Sequence, residues 1–273
     1  YTARVTTAMT GGEHVAKIAV LYPMSSIWAD FVPGSSTACQ AQELEDAYAP
    51  LGATLLKIHR DFVVVDEQSF AGAAIQGNKF VINGLAFEGL VLPKMTSICE
   101  DALAALKLVA QSCLVVAMAG NPLRVLKAGG LNAPEFVALT EIPGVRLSPG
   151  RRCGEVEEAL STINPDVIVD LAQDVQYLHR RKEGKDLFFF ANTGTQSVET
   201  TVSLETLGFA ELWNAETGSR KAAPGQRVVR NRLEIPLQFP PMGSHLVVVD
   251  PEMPVANEPR VVFKAQHRIA VPQ

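Results

Sequence analysis

The chain has 273 residues, of which 47% are hydrophobic and 19% charged, and its formal net charge is -5. That length suits one large domain or two ordinary ones, and the composition is globular rather than disordered. With no block of Lys or Arg there is no basic footprint for nucleic acid, and no apolar run approaches the ~20 residues of a membrane helix.

The sequence opens on Tyr1 rather than Met, so the lack of a recognisable leader decides nothing about targeting. Cys39, Cys99, Cys113 and Cys153 are widely spaced with no C-x-x-C pair, which argues against zinc and for buried or half-buried thiols. Their disulfide pairing stays open. No H-E-x-x-H or D-x-D-x-D-G run is present, so neither metal nor cofactor is expected.

Residues 1–13 read as the last turns of a helix closed by Gly11-Gly12, and so as the end of an upstream domain or a linker. The first strand, residues 15–22, is a continuous apolar run that stops at Pro23, as in a parallel sheet buried on both faces. Ser25, Trp28 and Asp30 follow, where an open α/β sheet presents ligand groups. Residues 34–37 (GSST) then offer a helix start; an N-cap reading outweighs a phosphate or flavin cradle.

Apolar positions at helical spacing run over residues 37–51, with an expected stop at Pro50-Leu51-Gly52. Residues 62–65 are a second strand, ending in Asp66-Glu67. Asn83-Gly84 is a turn signal between the apolar runs 79–82 and 89–92, the second again closed by a proline. An amphipathic helix is expected over 100–112, a buried strand over 113–117, a short helix beginning at Pro122, and a further helix over 154–163. Strands alternating with helices imply βαβ units, and residues 14–165 read as a flavodoxin-like three-layer α/β domain.

After Pro165 the pattern changes to short strands separated by turns such as Asn192-Thr193-Gly194 and Thr217-Gly218. Residues 166–250 read as an antiparallel β-sandwich with Trp213 in its core, and 251–273 as a proline-containing tail or the start of a further strand region.

No G-x-S-x-G or G-x-C-x-G elbow is present; Gly150-Arg151-Arg152-Cys153-Gly154 is a near miss that makes Cys153 a weak nucleophile candidate. The five histidines are scattered, and His179 is expected to be hydrogen-bonded and structural rather than a base.

Three passages carry a family resemblance. They are residues 174–185 (DVQYLHRRKEGK), 186–192 (DLFFFAN) and 211–218 (ELWNAETG). Together they resemble a stretch of the large α-L-rhamnosidase-type glycoside hydrolases of family 106. Val20-Leu21-Tyr22-Pro23 with Trp28, Asp61-Phe62 with Val65-Asp66-Glu67, and Leu90-Val91-Leu92-Pro93 resemble the class I glutamine-amidotransferase-like domain that follows the catalytic barrel in such enzymes. The missing elbow departs from true amidotransferases and puts glutaminase activity in doubt. The resemblance implies a bacterial, periplasmic or secreted parent that acts on plant or microbial polysaccharide, with its catalytic carboxylates in an upstream barrel that is the expected partner.

On that reading Ser25, Trp28 and Asp30 are the expected sugar contacts, since indole stacks well on the C–H face of a sugar. Glycoside hydrolysis needs two converging carboxyl groups, but Asp66 and Glu67 are adjacent and point apart, so a strand end or helix cap competes with a sugar role. A free-standing small hydrolase and a carbohydrate-binding module remain as rivals, and oligomerisation stays open.

Overall fold

The structure, a computed structural model, describes residues 1–31, 39–127, 135–148, 153–170, 172 and 174–255, with the backbone alone at 30, 39–41 and 153. The chain divides into two compact units, one of Glu13–Asp166 and one of Tyr1–Gly12 with Val167–Gln273.

In the first unit, five strands form one parallel sheet: Ile18–Leu21, Phe62–Val65, Gly89–Leu92, Leu114–Ala117 and Val145–Leu147. Counted along the chain, their order across the sheet from the Phe62 edge is 2-1-3-4-5. Side chains of a strand alternate between faces, so every position can be apolar only where both faces are covered. That condition holds for the central strands. Ile18, Val20, Val91 and Val116 pack on one side with Leu51, Leu55, Val156 and Leu160 from two helices. Ala19, Leu21, Leu90, Leu92, Val115 and Ala117 pack on the other with Phe70, Leu103 and Leu106.

Two proline rules fail here. The Cys39–Lys57 helix continues through Pro50. Proline removes one intrahelical hydrogen bond, but stopping there would expose Leu51 and Leu55, which are 7% and 0% exposed. Pro122 opens no helix: Leu123–Leu126 is a strand, parallel to Ser97–Cys99 and antiparallel to Glu135–Val137. The Asn83-Gly84 turn is made, with φ of 50° and 84°. It joins Lys79–Ile82 to Leu85–Phe87, not to Gly89–Leu92, which belongs to the parallel sheet.

The second unit is a sandwich. One sheet runs Val175–Lys182, Lys185–Asn192, Ser244–Asp250, Phe209–Trp213, Arg220–Ala222. The other runs Val167–Val169, Val198–Leu204, Arg232–Phe239, Arg227–Val229. Their inner faces meet through Val175, Tyr177, Phe188, Phe190, Val247 and Val249 from one sheet and Val202, Leu204, Leu233, Ile235 and Phe239 from the other. The expected single run over 228–235 is two strands, because Arg230 and Asn231 take φ of 48° and 62° and turn the chain into a hairpin.

Trp213 is not in that core. In a strand of period two, the buried Leu212 faces inward and Trp213 faces outward. Across the strands Trp213 pairs with Arg220 on one side and Leu246 on the other, and Leu246 pairs with Phe189. Residues Ala8 and Met9 of the N-terminal Thr2–Met9 helix pack on this outer face with Leu187, Leu246 and Val248. Gly12 is fixed by that approach: a Cβ there would lie 2.3 Å from the Arg181 carbonyl oxygen.

Phe190 is fully buried between the two sheets, against Tyr177 and Phe239. Phe190→Ala should cost about 3–5 kcal/mol of unfolding free energy, read as a lower urea midpoint at unchanged slope.

Candidate functional site

The chemistry-bearing groups of the α/β unit gather where its first three strands end. The Ile18–Leu21 strand runs out at Tyr22-Pro23 into the Met24–Asp30 helix, and Phe62–Val65 runs into the Glu67–Ala71 helix. Asp66 is the N-cap of that helix, accepting from the Ser69 amide at 2.8 Å and the Ser69 hydroxyl at 2.8 Å. The Ser69 amide bond, reinforced by the hydroxyl, holds the Asp66 carboxyl below its ordinary value. Asp66 is therefore spent as a cap.

Glu67 turns the other way and is 4% exposed. Its Oε1 accepts from the Ser25 amide at 2.9 Å. Its Oε2 accepts from the Ser25 hydroxyl at 2.7 Å and the Cys99 amide at 2.9 Å. Beside it Ser26, with no exposed surface, accepts from the Thr96 and Ser97 amides at 3.0 Å each and donates to the Ser97 carbonyl at 2.9 Å. The two serines follow the first strand, while Thr96, Ser97 and Cys99 follow the third. In an open α/β sheet the crevice between these two exits is the usual ligand position. Here, among the described residues, Ser26 and Glu67 bridge it with hydrogen bonds.

The cluster has the residue types of nucleophilic chemistry but not the arrangement. Among the described residues no imidazole hydrogen-bonds Ser25, Glu67 or Cys99; the acceptor of the Ser25 hydroxyl is the buried Glu67 carboxylate, which two backbone amides also hold. Burial, with the Glu67 carboxylate beside it, pushes the Cys99 thiol up, away from the reactive thiolate. Trp28 is 71% exposed and Phe31, a turn further on, 58%; Trp28 is not drawn into the Glu67 cluster. The side chains of Asp30 and Cys153, and the whole of residues 34–37, lie outside the described residues.

His179 belongs to the sandwich. It stacks on Phe188 with ring centroids 3.9 Å apart, and its Nε2 donates to Asp186 at 3.1 Å. Thr206 and Arg181 complete the aspartate, at 2.6 and 3.1 Å. Burial alone would raise the Asp186 pKa. The hydrogen bonds from His179 and Thr206, with the charges of His179 and Arg181, outweigh it and bring the carboxyl to about 2. Among the described residues no three His, Cys, Asp or Glu stand close enough to hold a metal ion, and no helix is long and apolar enough to cross a membrane.

Comparison with known proteins gives fold but not family. No protein-family profile matches the sequence, and no curated protein does. Among solved structures, the rhamnosidase from Novosphingobium sp. PP1Y matches 99% of this chain with 25% of its own, at 17% identity and a TM-score of 0.63. The β-galactosidase from Bacillus circulans sp. alkalophilus matches 90% of this chain with 43% of its own, at 13% identity and a TM-score of 0.56. α-L-Fucosidase isoenzyme 2 from Paenibacillus thiaminolyticus matches 92% with 51%, at 9% identity and a TM-score of 0.54. The chain thus has a fold found in glycoside hydrolases and spans from a quarter to about half the length of these three.

Sequence reasoning singled out Ser25 and Glu67 separately and missed both their contact and Cys99. Glu67→Ala strands the two amides and the hydroxyl, and should cost about 2–4 kcal/mol. Trp28→Ala, at an exposed position, should change stability by no more than about 0.5 kcal/mol. Paired denaturation curves check both. A second expectation concerns pH. The Asp186 pKa is depressed in the folded state, so its stabilisation is complete above about 3.8 and is lost as pH falls toward about 2. The stability gap between the chain and Asp186→Asn should therefore shrink as pH falls over that window.

Proposed function

We propose that this chain is the non-barrel, supporting part of a rhamnosidase-like glycoside hydrolase acting on plant or microbial polysaccharide. In this reading an amidotransferase-like, flavodoxin-type α/β domain is followed by a β-sandwich domain, and the catalytic carboxylates are carried by a partner barrel. The observation that carries it is the likeness to the rhamnosidase, which takes in 99% of this chain within a quarter of that protein. The strand order 2-1-3-4-5 supports the flavodoxin-type arrangement. The hydrogen bonds that tie Ser25, Glu67 and Cys99 together support a scaffold over a nucleophile site. Trp28, 71% exposed, is the side chain of this unit we assign to contact with sugar or with the barrel.

The test is turnover by the purified 273-residue chain of aryl α-L-rhamnoside, other aryl glycosides and short aryl esters. The expected result is none from well-folded protein. Turnover abolished by one point substitution, at Ser25, Glu67 or Cys153, would overturn the proposal in favour of a free-standing hydrolase. Affinity for neutral sugars without turnover, lost in Trp28→Ala, would favour a carbohydrate-binding module.

A further inference from the structure

The outer face of the sandwich holds a groove of about 530 Å³ between the Thr2–Met9 helix and the sheet, lined by Arg4, Lys182, Lys185, Trp213 and Arg220. It is of a size that takes one or two sugar rings. Its electrostatics are unusual in a chain of net charge -5. Arg4 donates to the Ala215 and Glu216 carbonyls at 3.0 and 2.6 Å. Lys182 donates to the Thr7 and Thr10 carbonyls at 2.9 and 3.0 Å, at the C-terminal end of the helix. These partners are backbone carbonyls, which fix the side chains without neutralising them. Lys185 is paired with Asp250; Glu183 at the groove and Glu211, which shares the outer face with Trp213 and lies near enough to act on Lys185, supply opposing charge.

Arg220 is the recognition element. It stands directly across the strands from Trp213 and lays its guanidinium on the indole, with Cζ 4.0 Å from the ring centroid. Trp213 is itself anchored by its Nε1 donating to Glu211 at 2.9 Å. A guanidinium held over an aromatic ring by cation–π attraction keeps its N–H donors, the fork that binds carboxylate or sulfate through two parallel hydrogen bonds. Among the described residues neither Arg4, Lys182 nor Arg220 is in an ion pair with a carboxylate.

We propose that this groove binds the carboxylate or sulfate group of an acidic saccharide, with Arg220 held on Trp213 as the bidentate contact and Arg4 and Lys182 supplying the surrounding positive field. The saccharide rather than another anion rests on the glycoside-hydrolase likeness; the anion rests on the groove alone.

The experiment is calorimetric titration of the full 273-residue chain with trigalacturonate, a sulfated galactose trisaccharide, neutral galactotriose and tetraglutamate. Binding of one or both acidic sugars is expected, weaker by about tenfold or more in Arg220→Gln and weakened several-fold between about 50 and about 300 mM NaCl. Which acidic sugar binds identifies the anion. Arg220 is on an exposed strand, so the variant should keep its melting temperature, and the salt dependence of the unaltered chain is an independent readout. No acidic sugar binding, equal binding of galactotriose, or unchanged affinity in Arg220→Gln would overturn the proposal. Tetraglutamate binding as tightly as the sugars would overturn the saccharide assignment. None of these outcomes touches the turnover test, so the two readings fail separately.

Discussion

A single buried carboxylate organises the business end of the α/β unit. Glu67 is almost without solvent, and its donors are two amides and a hydroxyl, all neutral. Burying an ionised carboxylate is costly unless its oxygens are hydrogen-bonded, and leaving one unsatisfied is costlier still than never having buried it. The loops after the first and third strands are therefore obliged to keep their amides where Glu67 needs them. The same constraint ties the two strand exits together. A sheet of this order usually leaves space between the exits of strands one and three; here that space holds a polar lattice of Ser25, Ser26, Glu67, Ser97 and Cys99.

The sandwich follows a different logic. Its inner faces are apolar and closed, with a polar exception in the His179–Asp186 pair, which Thr206 and Arg181 saturate. Its first sheet is also apolar on part of the outer face, through Leu187, Phe189, Leu246 and Val248. An antiparallel sheet with one solvated face normally alternates apolar and polar residues. The break in alternation is met by the Thr2–Met9 helix, and the edges of that cover, not the core, are where Trp213, Arg220 and Lys182 collect.

What the sequence discloses follows the range of the interactions. The first strand and the third are legible because burial on both faces writes four apolar residues in a row. Sandwich strands such as Val198–Leu204 and Arg232–Phe239 are legible because one-sided burial writes a period of two. Pro50 and Pro122 mislead because a local rule about backbone hydrogen bonds is outweighed by burial of Leu51 and Leu55 in one case and by pairing with Ser97–Cys99 in the other. Trp213 follows the alternation rule: with Leu212 inward, period two places its neighbour outward. The Ser25–Glu67 contact spans 42 positions and carries no periodic signal, so only the order of the strands reveals it.

These two arrangements bear on function in opposite ways. A catalytic carboxylate or thiol must be free to exchange protons with a substrate atom, which requires an open lone pair or a proton-accepting neighbour. Glu67 has its oxygens occupied by donors from both flanking loops, and Cys99 is held as a thiol by burial beside that same carboxylate. Both are tied into the lattice that holds the first and third strand exits together, so substitutions there should register first as lost stability. Arg220 is the reverse case. It contributes little to the fold from an exposed strand, yet its guanidinium sits over Trp213 at the groove. Side chains whose geometry is fixed by packing while their hydrogen-bonding edge is left over are suited to recognition. In this chain that description fits the outer face of the sandwich better than the crevice of the α/β sheet.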